Sequence, residues 1–353
     1  MDNGSAMTQT YIDKISTATD PYVIAEVGIN HNGDLALAHE MIAAAKESGA
    51  HAVKFQNFIC DEYLSPVAPK AGYQANADDS GKSQYELIKA CEINADDTVA
   101  LRAYAEELDI DFLSTPFERT SLHMLLDMGL DAIKVSSCNL TNYPFLQDLA
   151  NSGVPALLSS GMGDLAEVIR AVEIFKACGS PLLLFQCTSN YPSKIENANV
   201  TVIDAYKTLF DVPVGFSDHT PDNTAAIVAV ARGAVCVEKH FTLSRDLPGI
   251  DQKASIEPSE LAELVRVLAD ARRALGNPLK IRTGEEDDTS AALRRSLIAD
   301  IDLQPGDVLS LENIAIKRPG TGLPVHFLDQ LVGRTLTRAV KKNNPLSLDD
   351  FLS

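Results

Sequence analysis

The chain has 353 residues, 45% of them hydrophobic and 22% charged, with a formal net charge of −19 at pH 7. That length and composition suit one large soluble domain plus a small one. The negative charge excludes nucleic acids and anionic membranes as partners, because both require basic faces. The N-terminus has no apolar signal-peptide core, and no apolar run reaches the ~18 residues that span a bilayer. Six cysteines (60, 91, 138, 178, 187 and 236) are scattered without CxxC pairs, several inside apolar runs. Buried free thiols in a reducing cytoplasm are expected, rather than disulfides or zinc.

In chain order, residues 1–20 are polar and expected to be flexible. From Pro21 a unit of short β-rich run, polar tip and helix-period segment recurs, with runs at 22–27, 51–55, 110–114, 131–136, 154–160, 181–187, 212–217 and 234–239. Eight near-continuous apolar strands alternating with helices predict a (β/α)₈ TIM barrel over 21–276. The helices carry start and stop signals: 34–48 opens at Asp34 and closes at Gly49, 118–128 closes at Gly129, 164–177 closes near Gly179, and 222–232 closes at Gly233. The stretch 60–83 breaks the rhythm with Pro66, Pro69, Gly72 and Gly81 and is expected to be a functional lid. After a last helix over 257–275, the polar residues 277–293 read as a linker, and 294–353 as a small module with turns at 305–307 and 318–322. So small a module has a marginal core alone and is expected to dock on the barrel or on another subunit.

Barrel chemistry gathers at the carboxyl ends of the strands. Those tips carry Glu26, Lys54 and Gln56, Ser114 and Thr115, Lys134 with Ser136 and Ser137, Ser159 and Ser160, Thr188 to Tyr191, Ser217 and His219, and finally Glu238, Lys239 and His240. Lysines among hydroxyls make an anion site for phosphate or carboxylate, the lysine as point charge and the hydroxyls as directional donors. His219 and His240, on adjacent strand ends, are candidate ligands for Mn²⁺ or Mg²⁺ in an open site completed by water and substrate oxygen. Glu26 is the candidate general base or charge stabiliser.

IAEVGINHNGD (24–34), VKFQ (53–56), STPF (114–117), SSGM (159–162), CTSNYP (187–192), GFSDHT (215–220), VEKHFT (237–242) and KRPGTG (317–322) together resemble the sialic acid synthases, a group that includes N-acetylneuraminate, legionaminate and pseudaminate synthases. The likeness runs from about residue 20 to the end, where 294–353 resembles an antifreeze-like (SAF, β-clip-like) domain. The resemblance implies condensation of phosphoenolpyruvate with the open-chain aldehyde of an N-acetylated mannosamine-type sugar, giving a nine-carbon 2-keto acid and phosphate. It assigns phosphoenolpyruvate to Lys54, Thr115, Lys134, Ser137, Ser159, Ser189 and Ser217, and a divalent metal to His219 and His240, with Mn²⁺ the first choice and Mg²⁺ or Co²⁺ as alternatives. Glu26 matches the catalytic acid, Gln56, Tyr191 and Asp251 match positions facing the sugar, and Arg318 matches an arginine that reaches the partner's barrel in a domain-swapped homodimer. Asn139 stands where many neuraminate synthases carry a glutamate facing sugar hydroxyls, and Gln252 stands where a histidine is common. Both changes are expected to shift the choice of sugar. The rival readings are a metal-dependent aldolase or deoxy-sugar-acid phosphate synthase on the same barrel, and a non-catalytic carbohydrate-binding barrel.

Overall fold

The computed structural model of the chain describes residues 10–72 and 81–352. Its contacts divide it into Met1–Gly276 and Asn277–Ser353. In the first unit eight strands, β1 (Tyr22–Gly28), β2 (Ala52–Asn57), β3 (Asp111–Pro116), β4 (Ile133–Val135), β5 (Ala156–Ser159), β6 (Leu182–Cys187), β7 (Val214–Asp218) and β8 (Cys236–His240), form one sheet in the order β3-β2-β1-β8-β7-β6-β5-β4. Every pairing is parallel, and β3 and β4 lie side by side, so the sheet closes into a barrel. Each strand is followed by a covering helix: α1 (Leu35–Glu47), α2 (Ala95–Glu107), α3 (Arg119–Asp127), α4 (Tyr143–Ser152), α5 (Leu165–Cys178), α6 (Val202–Phe210), α7 (Thr224–Ala231) and α8 (Pro258–Leu275).

The local reasons are visible at the caps. Asp34 accepts from the amides of Ala36 and Leu37 to start α1, Asp164 and Glu167 form a reciprocal capping box at α5, and Gly179 ends α5 with φ 64°. All seven residues of β1 and all six of β6 are buried, as strands covered on both faces require. Outside the barrel, helix faces such as Ala38, Met41 and Ile42 pack on Val23, Val53 and Phe55. Inside it, Ile24, Leu113, Leu157, Leu183 and Phe185 fill the lower half.

Of the flexible segment expected over 1–20, residues 1–9 lie outside the described residues, and 10–20 depart from the expectation. Thr10 and Asp13 cap a helix at Tyr11–Ser16, whose Tyr11, Ile12 and Ile15 join the barrel-interior cluster and close its amino-terminal end. The Tyr11 and Tyr22 hydroxyls meet at 2.7 Å. In the stretch expected as a lid, a turn of helix at Cys60–Tyr63 is tied to the helix Gln84–Lys89 by Asp61, which accepts from Tyr85 and from Lys89 Nζ at 3.1 Å. The middle of that stretch, 73–80, lies outside the described residues. All six cysteines are free, but Cys138 and Cys178 are exposed rather than buried. Among the described residues no helix is long and apolar enough to cross a membrane.

The second unit is built on an antiparallel pair, β9 (Ser296–Ala299) and β10 (Ile314–Lys317), around Leu297, Leu303, Leu309, Leu323, Leu336 and Leu346. Part of the expected linker 277–293 is ordered as the helix Asp287–Leu293. The KRPGTG turn is pinned, since Ser296 Oγ donates to Pro319 O at 2.6 Å and the Gly320 amide to Ala291 O at 2.7 Å. A Cβ on Gly320 would come within 2.8 Å of Ser290 O, so a larger residue would force the turn open. Arg318, directly after β10, is exposed.

Candidate active site

The period of two along a strand decides what the tips can do. On β8, Glu238 and His240 line a cavity of about 370 Å³ at the carboxyl ends of the strands, while Lys239 faces the wall and is held there by Asp218 at 2.6 Å and by the carbonyls of Thr220 and Asp222. Ser114 likewise turns outward to Asn57 at 2.6 Å, and Ser160 turns to Phe185 O at 2.8 Å. Inward positions deliver Glu26, Lys54, Gln56, Thr115, Lys134, Ser159, Cys187, Ser217, Glu238 and His240 to one chamber, where Ser137, Ser189, Tyr191, His219 and Asp251 join from the loops.

Two buried lysines form the floor. Lys54 and Lys134 are only 3% and 2% exposed, and the Lys134 ammonium lies 5.3 Å above the Phe185 ring. Gly215 makes room for that ring, because a Cβ there would be 2.6 Å from it. Lys54 Nζ donates to Thr115 Oγ1 at 3.0 Å and Lys134 Nζ to Ser159 Oγ at 2.6 Å, so hydroxyls already surround both charges. Gly161 brings its amide to Ser137 Oγ at 3.0 Å, and a Cβ at this position would sit 2.2 Å from Ser189 Oγ. Only glycine leaves that cradle open.

Two glutamates share the two lysines with opposite outcomes. Glu26 is 2.6 Å from Lys54 and accepts from Gln56 Nε2 at 2.9 Å, yet burial dominates and raises its pKa. Burial also pushes Glu238 upward, but Lys134 at 3.7 Å, Lys54 at 3.6 Å and the Ser217 hydroxyl at 3.0 Å bring it down to about 2. Environments that drive paired carboxyls apart separate a proton carrier from a fixed charge. Asp251 is raised to about 6, first by burial and then by Glu26.

The His219 and His240 rings lie 5.5 Å apart, with Tyr191 against both at 4.1 and 5.3 Å. His219 Nδ1 donates to Thr188 O at 2.9 Å, which leaves its Nε2 lone pair available, the usual arrangement of a metal-ligating histidine. Burial drives His240 well below its ordinary pKa, and its Nδ1 is buried without a hydrogen-bond partner. His219 is shifted the other way: burial lowers its pKa, but the neighbouring Cys187 and the Thr188 carbonyl outweigh it and raise it, so a divalent cation there would have to displace a proton, while His240 offers a neutral imidazole. Among the described residues no three His, Cys, Asp or Glu converge on one point, so such an ion would take its other ligands from water and substrate.

Residues 41–280 match the model of the NeuB family, and 294–352 match the SAF domain. The chain belongs to the NeuB family. It is 40% identical, over 90% of both chains, to N,N'-diacetyllegionaminic acid synthase of Legionella pneumophila subsp. pneumophila. It is 33% identical, over 92% of this chain and 91% of the relative, to N-acetylneuraminate-9-phosphate synthase of Homo sapiens. The crystal structure of N-acetylneuraminic acid (sialic acid) synthetase from Leptospira borgpetersenii serovar Hardjo-bovis in complex with citrate aligns at TM-score 0.68 and 34% identity, covering 76% of this chain and 90% of that one.

Every barrel residue expected in this NeuB-family site lines the cavity except Asn139. Its side chain is buried in the wall, donating to Phe117 O at 3.1 Å and accepting from Asn142 at 3.0 Å; Cys138 faces the cavity instead. Gln252 also faces away: it is fully buried and donates to Asn30 O at 2.8 Å, bracing the loop that carries Asp251. Arg318 belongs to the second unit. Sequence reasoning assigned no role to Glu238 or Gly161. The signals were the even spacing of Glu238 to His240, which puts both on one face, and a glycine directly after two strand-end serines.

Proposed function

We propose that this NeuB-family enzyme condenses phosphoenolpyruvate with the open-chain aldehyde of an N-acetylated mannosamine-type sugar, consuming water and releasing phosphate and a nine-carbon 2-keto acid. The observation that carries this reading is one cavity that joins two buried lysines, each beside a hydroxyl, to Glu26, Asp251 and the two histidines. Lys54 and Lys134 hold the carboxylate and phosphate as point charges, and Thr115, Ser137, Ser159, Ser189 and Ser217 orient their oxygens. A new C–C bond forms from the methylene carbon of phosphoenolpyruvate to the aldehyde carbon, and the aldehyde oxygen takes up a proton. Glu26, kept protonatable by burial and positioned by Gln56, supplies that proton. Water adds at the former enol carbon, and phosphate leaves with the bridging oxygen. When bound by His219 and His240, a divalent ion, Mn²⁺ before Mg²⁺ or Co²⁺, supplies Lewis-acid polarisation of the aldehyde.

Gln56, Tyr191 and Asp251 are the sugar-facing groups, next to an apolar stretch of Ile29, Phe117 and Ile250. Lys54 and Lys134 are the only lysines or arginines among the described residues lining the cavity, which favours an unphosphorylated sugar over the sugar phosphate of an aldolase or phosphate-synthase reading. A homodimer in which Arg318 reaches the partner's barrel completes the sugar site, and the free thiols support a cytoplasmic enzyme. The decisive experiment incubates the enzyme with phosphoenolpyruvate and N-acetylmannosamine, its 6-phosphate, or a diacetamido-trideoxy analogue, with and without chelator, scoring phosphate release and product mass. Release only with an unphosphorylated sugar, abolished by chelation and restored by Mn²⁺, is expected. Release confined to the sugar phosphate, or none with any sugar, overturns the reading.

A further inference from the structure

The floor contains more acid than anion binding needs. Glu238 is buried between Lys54 at 3.6 Å and Lys134 at 3.7 Å, and it takes the single hydroxyl proton of Ser217 at 3.0 Å. These three groups are also the ones the proposed function gives to phosphoenolpyruvate, so Glu238 and the incoming anion compete for the same donors. We infer that Glu238 is a built-in competitor that weakens anion binding on the floor so that phosphate can leave.

The chemistry explains why such a residue is useful. Phosphate leaves the reaction with as much charge as it brought in, so two uncompensated ammoniums in a buried site would hold product as firmly as substrate. Binding that is equal for ground state and transition state adds nothing to turnover. A carboxylate fixed among those ammoniums subtracts from the hold on every anion. Interactions made only as the reaction proceeds, such as proton transfer to the sugar oxygen, are left untouched. Among the described residues Glu238 is also the only carboxylate paired with Lys134, at 3.7 Å, so an anion that takes Lys134 must displace or share that counter-charge, whereas Lys54 keeps Glu26 at 2.6 Å.

The inference rests on the synthase reading, and the test separates the two. Inorganic phosphate is titrated calorimetrically into the full-length chain in chelator, wild type against Glu238→Gln. Removing one fixed charge a few ångströms from the bound anion is expected to tighten phosphate binding about tenfold or more. Under saturating substrates the variant should show a burst of product followed by slow phosphate release. Equal or weaker phosphate binding in a variant that melts like wild type overturns the inference while leaving the synthase reading intact. Failure of both proteins to bind phosphate overturns both. Should Glu238→Gln not fold, wild-type crystals soaked with phosphate decide: Ser217 is expected to turn its hydroxyl from Glu238 to the phosphate, and a Ser217 that stays on Glu238 overturns the inference.

Discussion

At the scale of single residues, Gly161 is the most exacting position. Its amide meets Ser137, and a methyl group there would lie 2.2 Å from Ser189 Oγ and 2.7 Å from Ser137 Oγ. Gly161→Ala should therefore raise the phosphoenolpyruvate KM at least about tenfold, equivalent to one charge-assisted hydrogen bond, while the melting temperature stays within a few degrees of wild type. An unchanged KM would show that the hydroxyls tolerate displacement. Asp251 shows the cost of a site held ready. Its folded pKa of about 6 lies above the ordinary 3.8, so the folded state binds that proton more tightly than the unfolded chain does. The resulting stability is complete below about pH 3.8 and is lost as pH rises through 6. Asp251→Asn should thus melt higher than wild type at pH 7.5, by up to about 3 kcal/mol, with the gap closing towards pH 4 and with turnover lost. A gap independent of pH would assign the gain to something other than the buried charge. Much of this site could be read from strand-end residue types, because residues at even spacing on a strand must share a face. Asn139 could not, since its place was inferred from a motif position, and only the fold shows Phe117 O and Asn142 claiming its amide.

At the scale of elements, the eight strands were legible because each is a short apolar run between turn signals, and parallel strands buried on both faces need no alternation to be recognised. Their ends moved by at most two residues, as at β4, where 131–136 was expected and Ile133–Val135 is formed. The amino-terminal helix was illegible. Six residues are too few for a hydrophobic period to stand out, and its one local sign is Thr10 followed three residues later by Asp13. Its value lies in tertiary contacts that sequence does not display. Ile15, 1% exposed within the barrel-interior cluster, is the clearest probe. Ile15→Ala should cost about 2–4 kcal/mol of stability while kcat and both KM values of the folded enzyme remain those of wild type. Altered KM values would mean that the plug shapes the distant cavity as well.

At the scale of the whole molecule, charge is unevenly divided. Residues 294–353 carry 8 Lys and Arg against 7 Asp and Glu, so the entire negative excess belongs to residues 1–293. Arg318 stands exposed on a pinned turn of the nearly neutral module, and on the proposed reading it serves a barrel's sugar site. Whether the barrel served is its own or a neighbour's can be decided by complementation. Arg318→Ala and Glu26→Ala chains, each inactive, should regain up to about a quarter of wild-type activity when reassembled at random. Half of the dimers would then be mixed, each with one site that combines an intact barrel with an intact arginine. Mixtures that stay inactive although heterodimers form would show that Arg318 serves its own barrel or none.

The layering of the cavity also carries a kinetic consequence. Lys54 and Lys134 lie at the bottom of a chamber sealed beneath by Phe185 and its neighbours, whereas Met162, 71% exposed, stands at its rim. A blind-ended chamber behaves as a queue: the ligand of the bottom must enter first and leave last. On the proposed reading phosphoenolpyruvate should therefore precede the sugar and phosphate should follow the sugar acid out, an order set by depth that product-inhibition patterns would check.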